Sequence, residues 1–88
     1  MISEQEKQII IQFAKKYNVA SVYLFGSAVN GSEYNDIDIA IKGIKPELFF
    51  KFYGELLRNL PKSVDLVDLS VKSLFNTIIE ENGIKIYG

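Results

Sequence analysis

Asp36-Ile37-Asp38-Ile39-Ala40-Ile41-Lys42 is the stretch on which the fold turns. Polar and apolar residues alternate along it, which is the pattern of a half-buried strand. Successive strand side chains point to opposite faces, so Ile37, Ile39 and Ile41 share one face and Asp36, Asp38, Ala40 and Lys42 share the other. Such a strand needs neighbours, and both flanks supply them. Upstream, Val19 to Phe25 is short, apolar and rich in β-branched and aromatic residues, and reads as a strand. Between the two, Gly26 to Asn35 holds two Gly, two Ser and two Asn and reads as a loop. Ten residues without a helix make the pair antiparallel, because a parallel neighbour needs a longer crossover.

Downstream, Gly43 ends the strand and Pro46 suits the first turn of a helix. Leu48, Phe49, Phe52, Tyr53, Leu56, Leu57 and Leu60 form a wide apolar stripe, which predicts a helix from Pro46 to Asn59 despite Gly54 inside it. Pro61 closes that segment. Ser63 to Leu69 reads as a third strand, so strand, helix and strand form a right-handed parallel unit. Ser70 is expected to cap a helix from Val71 to Glu81, with Leu74, Phe75, Ile78 and Ile79 inward. Asn82-Gly83 is a C-cap signal, and Ile84 to Tyr87 is a short final strand. At the front, Ser3 and Glu6 match a capping box. Ile9, Ile10, Phe13, Ala14 and Tyr17 follow at helical spacing, which predicts an amphipathic helix from Ser3 to Tyr17. The expected fold is a single α/β (α+β) domain over residues 1–88, in the order α-β-β-α-β-α with a terminal β. It is a small mixed β-sheet with helices packed on one face.

Composition narrows the chemistry. The 88 residues contain no Cys, no His and no Trp. That excludes disulfides, thiolate chemistry and catalytic triads built on histidine, and deprives a zinc site of its usual Cys and His ligands. Ten basic residues against eleven acidic ones, net −1, give no broad basic surface, so direct binding of nucleic acid is not expected. No apolar run approaches the roughly 20 residues that span a bilayer, and the N-terminus carries acids where a signal peptide needs a basic start. A cytoplasmic protein without membrane contact is the expectation.

What remains is chemistry by carboxylates, hydroxyls, Lys, Arg and backbone. Asp36 and Asp38 lie two apart on one strand face, about 6.6 Å between Cα atoms. Two bare carboxylates about 5 Å apart repel by about 3 kcal/mol at an effective dielectric of about 20. A divalent cation removes that cost, and Mg²⁺ prefers a few hard carboxylate oxygens while keeping sites open for phosphates. Asp65, early in the third strand, reaches the same cluster if that strand lies beside Asp36–Lys42. Gly26-Ser27 follows a strand, where a Gly lets a phosphate approach the backbone and a Ser hydroxyl can hold it. Lys42 shares the Asp face and is a candidate cation for the nucleotide. Asp68 has the opposite parity from Asp65 and reads as a turn or capping residue. Phe50 points off the apolar stripe and is a candidate interface residue.

Leu24-Phe25-Gly26-Ser27, Asp36-Ile37-Asp38-Ile39-Ala40 and Val64-Asp65-Leu66-Val67-Asp68-Leu69 together resemble the three motifs of the minimal nucleotidyltransferases (MNT), small members of the DNA polymerase β-like superfamily. The resemblance covers nearly the whole chain. It implies transfer of AMP from ATP by a two-metal mechanism, with Asp36, Asp38 and Asp65 as catalytic ligands of two Mg²⁺ ions and Gly26 and Ser27 holding the β- and γ-phosphates. It also implies a partner, a small helical HEPN toxin, for which the chain would be the antitoxin. In that reading the partner supplies the acceptor hydroxyl, since 88 residues leave no room for an acceptor-binding domain. Two features depart from the family. The loop between Ser27 and Asp36 is tighter than is common, and Ala28, Val29 and Asn30 stand where many relatives carry Arg. These departures keep open an alternative: a non-catalytic module that neutralises a HEPN partner by contact. Self-association through the aromatic-rich second helix is a further expectation left open.

Overall fold

The computed structural model of the chain describes residues 2–26 and 36–88. The first helix, α1, spans Glu4–Lys16. Its capping box is formed as the sequence implies: the Glu6 N–H donates to Ser3 Oγ at 3.1 Å and the Ser3 N–H to Glu6 Oε1 at 2.9 Å. The helix closes with a Schellman pattern. Asn18 N–H donates to Lys15 O at 3.2 Å and Val19 N–H to Ala14 O at 2.9 Å, with Asn18 left-handed at φ +56°. That turn uses Val19, so the first strand, β1, begins later than expected, at Ser21, and runs Ser21–Phe25.

Strand β2 is Asp36–Lys42, and it pairs antiparallel with β1 in a register that sets Tyr23 against Ala40 and Phe25 against Asp38. A single 3-10 turn, Pro46–Leu48, precedes α2, Phe49–Asn59, so the expected helix is present but its first turn is wound tighter. Strand β3, Ser63–Asp68, returns parallel to β2. Helix α3 spans Leu74–Asn82, and β4, Ile84–Tyr87, pairs antiparallel with β1. The sheet order is β3-β2-β1-β4. No helix among the described residues is long and apolar enough to cross a membrane.

Strand alternation sets the two faces. Val22, Leu24, Ile37, Ile39, Ile41 and Val64 form one buried face with Ile10 and Ala14 of α1 and Phe52 and Leu56 of α2. Here α1 and α2 share a face as expected. The placement of all helices on one face needs a correction: Ile79 of α3 packs with Tyr23, Ala40 and Leu69, which lie on the opposite face. The cause is visible in β1 and β2, whose second face is apolar at Tyr23 and Ala40 and needs its own cover. The cap of α3 also shifts. Ser73, and not Ser70, accepts the first-turn N–H, from Asn76 at 3.0 Å. Only Ile79 of the four apolar α3 side chains is buried. Leu74 is 78% exposed, Phe75 58% and Ile78 48%, because the small patch at Tyr23 and Ala40 cannot cover an arc so wide. Phe50 is exposed as expected, at 79%.

Candidate active site

The face opposite the main core carries the acids. Asp36 and Asp38 alternate with buried Ile37 and Ile39, so the pleat that buries the isoleucines turns both carboxylates to this face. In the parallel register Asp38 stands beside Asp65, and Asp36 beside Ser63. Adjacent strands lie about 4.8 Å apart, so Asp38 and Asp65 are close neighbours. The row through Asp38 reads Phe25, Asp38, Asp65 across three strands. Asp36 and Asp65 are exposed and Asp38 is half-buried. The parallel crossover through α2 thus puts all three sequence-predicted acids on one face near the start of β2. Among the described residues, no three carboxylates are already gathered into a group that holds a metal ion.

Gly26 follows β1 and borders the same row. Its φ is +64°, and a Cβ there would run into the Asp38 carboxylate, standing 3.2 Å from its Cγ. Gly26 and Asp38 are therefore brought together. Ser27, the other expected phosphate ligand, lies outside the described residues. Lys42 is not brought to the acids. It lies four residues beyond Asp38, about 13 Å along the strand, opposite Ser21. There its Nζ donates to Glu80 Oε2 of α3 at 2.7 Å. That hydrogen bond and the Glu80 charge hold the Lys42 ammonium above the ordinary lysine range.

Asp68 behaves as the turn residue its parity implies. Its Oδ1 accepts the Ser70 N–H at 2.9 Å, and its carbonyl accepts Asn76 Nδ2 at 3.1 Å. Asn76, which is buried, also donates to Val71 O at 2.6 Å. These bonds tether α3 to the end of β3.

The structure adds a groove that the sequence reading missed. Phe25 and Phe75 meet edge to face, ring centroids 6.2 Å apart. With Gly26 and Ile78 they line an open apolar hollow of about 290 Å³. The signal for Phe25 was available, since its parity sets it on the Asp face. Phe75 and Ile78 gave no such signal, because their helical spacing reads equally well as core.

The residues present fit divalent-cation chemistry. Hard carboxylate oxygens come from three positions on one face, and the bare Gly26 backbone beside Asp38 leaves a cradle that a side chain would fill.

Comparison with known proteins identifies the family. The family described as "Polymerase beta, Nucleotidyltransferase" matches residues 7–88. Among solved structures, the chain is 28% identical to one in a toxin–antitoxin complex with AMP-PNP, covering 93% of this chain and 73% of that one at a TM-score of 0.77. It is 26% identical to one in a complex of a tri-AMPylated Shewanella oneidensis HEPN toxin with its MNT antitoxin, covering 99% and 73% at a TM-score of 0.72. A chain in the structure of the toxin–antitoxin pair MntA–HepT shares the fold at 24% identity, covering 98% of this chain and 73% of that one with a TM-score of 0.75. No curated protein matches the chain. With a family match that begins in the first helix and runs through β4, and a fold shared with MNT proteins, this chain belongs to the polymerase β-type nucleotidyltransferase family, in its minimal MNT branch.

Proposed function

We propose that the chain is a Mg²⁺-dependent adenylyltransferase that moves AMP from ATP to a hydroxyl of a HEPN partner protein and so acts as an antitoxin. The observation that carries this reading is the shared face: Asp38 and Asp65 side by side, Asp36 one pleat away, and Gly26 bare against Asp38. Relatives at 26–28% identity, one in a complex with AMP-PNP and one with an AMPylated HEPN toxin, support the choice of nucleotide and acceptor.

Each residue has a distinct task in this scheme. Asp36, Asp38 and Asp65 would hold two Mg²⁺ ions, which when bound would neutralise phosphate charge and polarise the α-phosphate. The backbone at Gly26 and the Ser27 hydroxyl hold the β- and γ-phosphates. The groove formed by Phe25, Phe75 and Ile78 offers flat apolar walls to the nucleobase. The acceptor oxygen attacks the α-phosphorus, the bond to the pyrophosphate oxygen breaks, and Asp65 takes the hydroxyl proton. Phe25 stands beside Asp38 across the β1–β2 pair.

A second reading, neutralisation by contact without turnover, draws on the absence of a pre-gathered three-carboxylate group among the described residues and on the loop positions 28–30, which hold no Arg. One experiment separates the two. The chain and its HEPN partner are incubated with α-labelled ATP and Mg²⁺, beside the Asp36→Asn/Asp38→Asn variant. The transferase reading expects label on the partner with the wild-type chain and none with the variant. Full neutralisation by the variant, with no label from either chain, sinks it.

A further inference from the structure

Phe25 and Asp38 are cross-strand partners, so the residue after Phe25 lies beside the Asp38 side chain. That residue is Gly26. A Cβ built on it would overlap Asp38 Oδ2 and stand 3.2 Å from Cγ and 3.5 Å from Cβ. The obstacle is not the far end of a long, pliant side chain. Asp38 has two side-chain torsions and is anchored in the centre of the sheet, between β1 and β3. To admit a Cβ at position 26, Oδ2 would have to swing away about χ2 and Cγ would have to give by a few tenths of an ångström. On the other flank Asp65 stands in register, carrying like charge.

We propose that Gly26 is a positioning residue for Asp38: the missing side chain is the space in which the Asp38 carboxylate rests. This task is separate from contact with phosphate. In its effect on turnover the inference rests on the transferase reading, whereas its effect on Asp38 stands without it. Two demands on position 26 must be told apart. The left-handed φ of +64° favours glycine for backbone reasons, and asparagine meets that demand better than alanine does. Clearance of Asp38 is a different demand, because asparagine carries the same Cβ as alanine.

The test compares wild type, Gly26→Ala and Gly26→Asn by crystallography. The Asp38 carboxylate orientation is read from the electron density, and AMP transfer to the HEPN partner is measured in parallel. The expected result is one Asp38 rotamer in the wild type and a different one in both variants. Transfer falls about 100-fold in both, the scale of loss when a reacting group is misplaced by about 1 Å, and Asn gives no rescue. An unchanged Asp38 rotamer in Gly26→Asn, or transfer restored by Asn, overturns the inference. If the wild type transfers no AMP, the transferase reading fails and the rotamer comparison alone decides. Should the single variants fail to crystallise, Asp38→Ala is made both alone and with Gly26→Asn. Relief of the collision makes Asp38→Ala raise the melting temperature more beside Gly26→Asn than in the wild type, where it relieves only the repulsion from Asp65, and an equal change overturns the inference.

Discussion

Asn76→Ala asks what holds α3 over the acidic face. Of the apolar side chains on this helix only Ile79 is buried, so apolar burial is a small part of its attachment. Asn76 is 8% exposed and its Nδ2 donates to Asp68 O at 3.1 Å and Val71 O at 2.6 Å. An intramolecular hydrogen bond contributes about 0.5–1.5 kcal/mol net, so the pair amounts to about 1–3 kcal/mol. Alanine has the better helix propensity, which offsets roughly 0.5 kcal/mol. The backbone N–H of residue 76 keeps its bond to Ser73 Oγ, so the cap is not lost. The expected destabilisation is about 1–2 kcal/mol, against a total of about 4–13 kcal/mol for a chain of this size. At about 4–8 °C per kcal/mol for a small domain, the melting temperature falls by about 5–15 °C. Circular dichroism at 222 nm reads the melt, and amide exchange reads protection of residues 77–82. A melting temperature within about 2 °C of wild type, with α3 amides still protected, would refute the argument. It would mean that Ile79 and the following strand hold the helix unaided.

Other outcomes follow from the same structure. Phe52→Ala empties the centre of the core between α2 and the isoleucine face, where Phe52 is fully buried. It should cost about 3–5 kcal/mol in urea denaturation. Hydrogen bonds from Lys16 at 2.7 Å and Tyr17 at 2.8 Å hold the Glu55 carboxyl below the ordinary glutamate range. A depressed folded value gives stability that is present above the unfolded value and lost as pH falls through the folded one. Melts across the acid limb should therefore fall less steeply for Glu55→Gln than for wild type, and equal slopes would contradict the assignment. Mg²⁺ with ATP should raise the melting temperature of the wild type. The same addition should leave Asp36→Asn/Asp38→Asn unmoved, and an equal rise in that variant would place the ligand elsewhere.

The sheet was legible because its strands announce themselves. The alternation in Asp36–Lys42 and the short β-branched run before Gly26 state their own faces. Proline and glycine at 43, 46 and 61 bracket the crossover helix. The acids were legible for the same reason, since strand parity decides which face a side chain joins. The third helix was not. Leu74, Phe75, Ile78 and Ile79 sit at helical spacing, which says that a helix is amphipathic but not how much surface awaits it. The answer depended on the far face of β1 and β2, where Tyr23 and Ala40 offer room for Ile79 alone. Lys42 was misleading for a related reason. Parity gave its face correctly, but distance along the strand and the arrival of Glu80 decided its partner. Neither Phe75 nor Ile78 could be told from core until the width of that patch was known.

Strand β3 lies at the edge of the sheet. Among the described residues no strand pairs with its outer rim, and such a rim is a template on which another chain can add itself. The Tyr53 hydroxyl occupies one carbonyl, that of Val64, at 2.6 Å. The next residue along the edge is exposed Asp65. A charge in the middle of an edge strand is a standard guard against aggregation, so the acid proposed for chemistry also stands where such a guard belongs. Asp65→Asn would then remove two things at once. Its soluble yield should fall below that of Asp36→Asn, which sits on an interior strand, and a loss of activity measured for it must be corrected for the fraction of chain that has left solution.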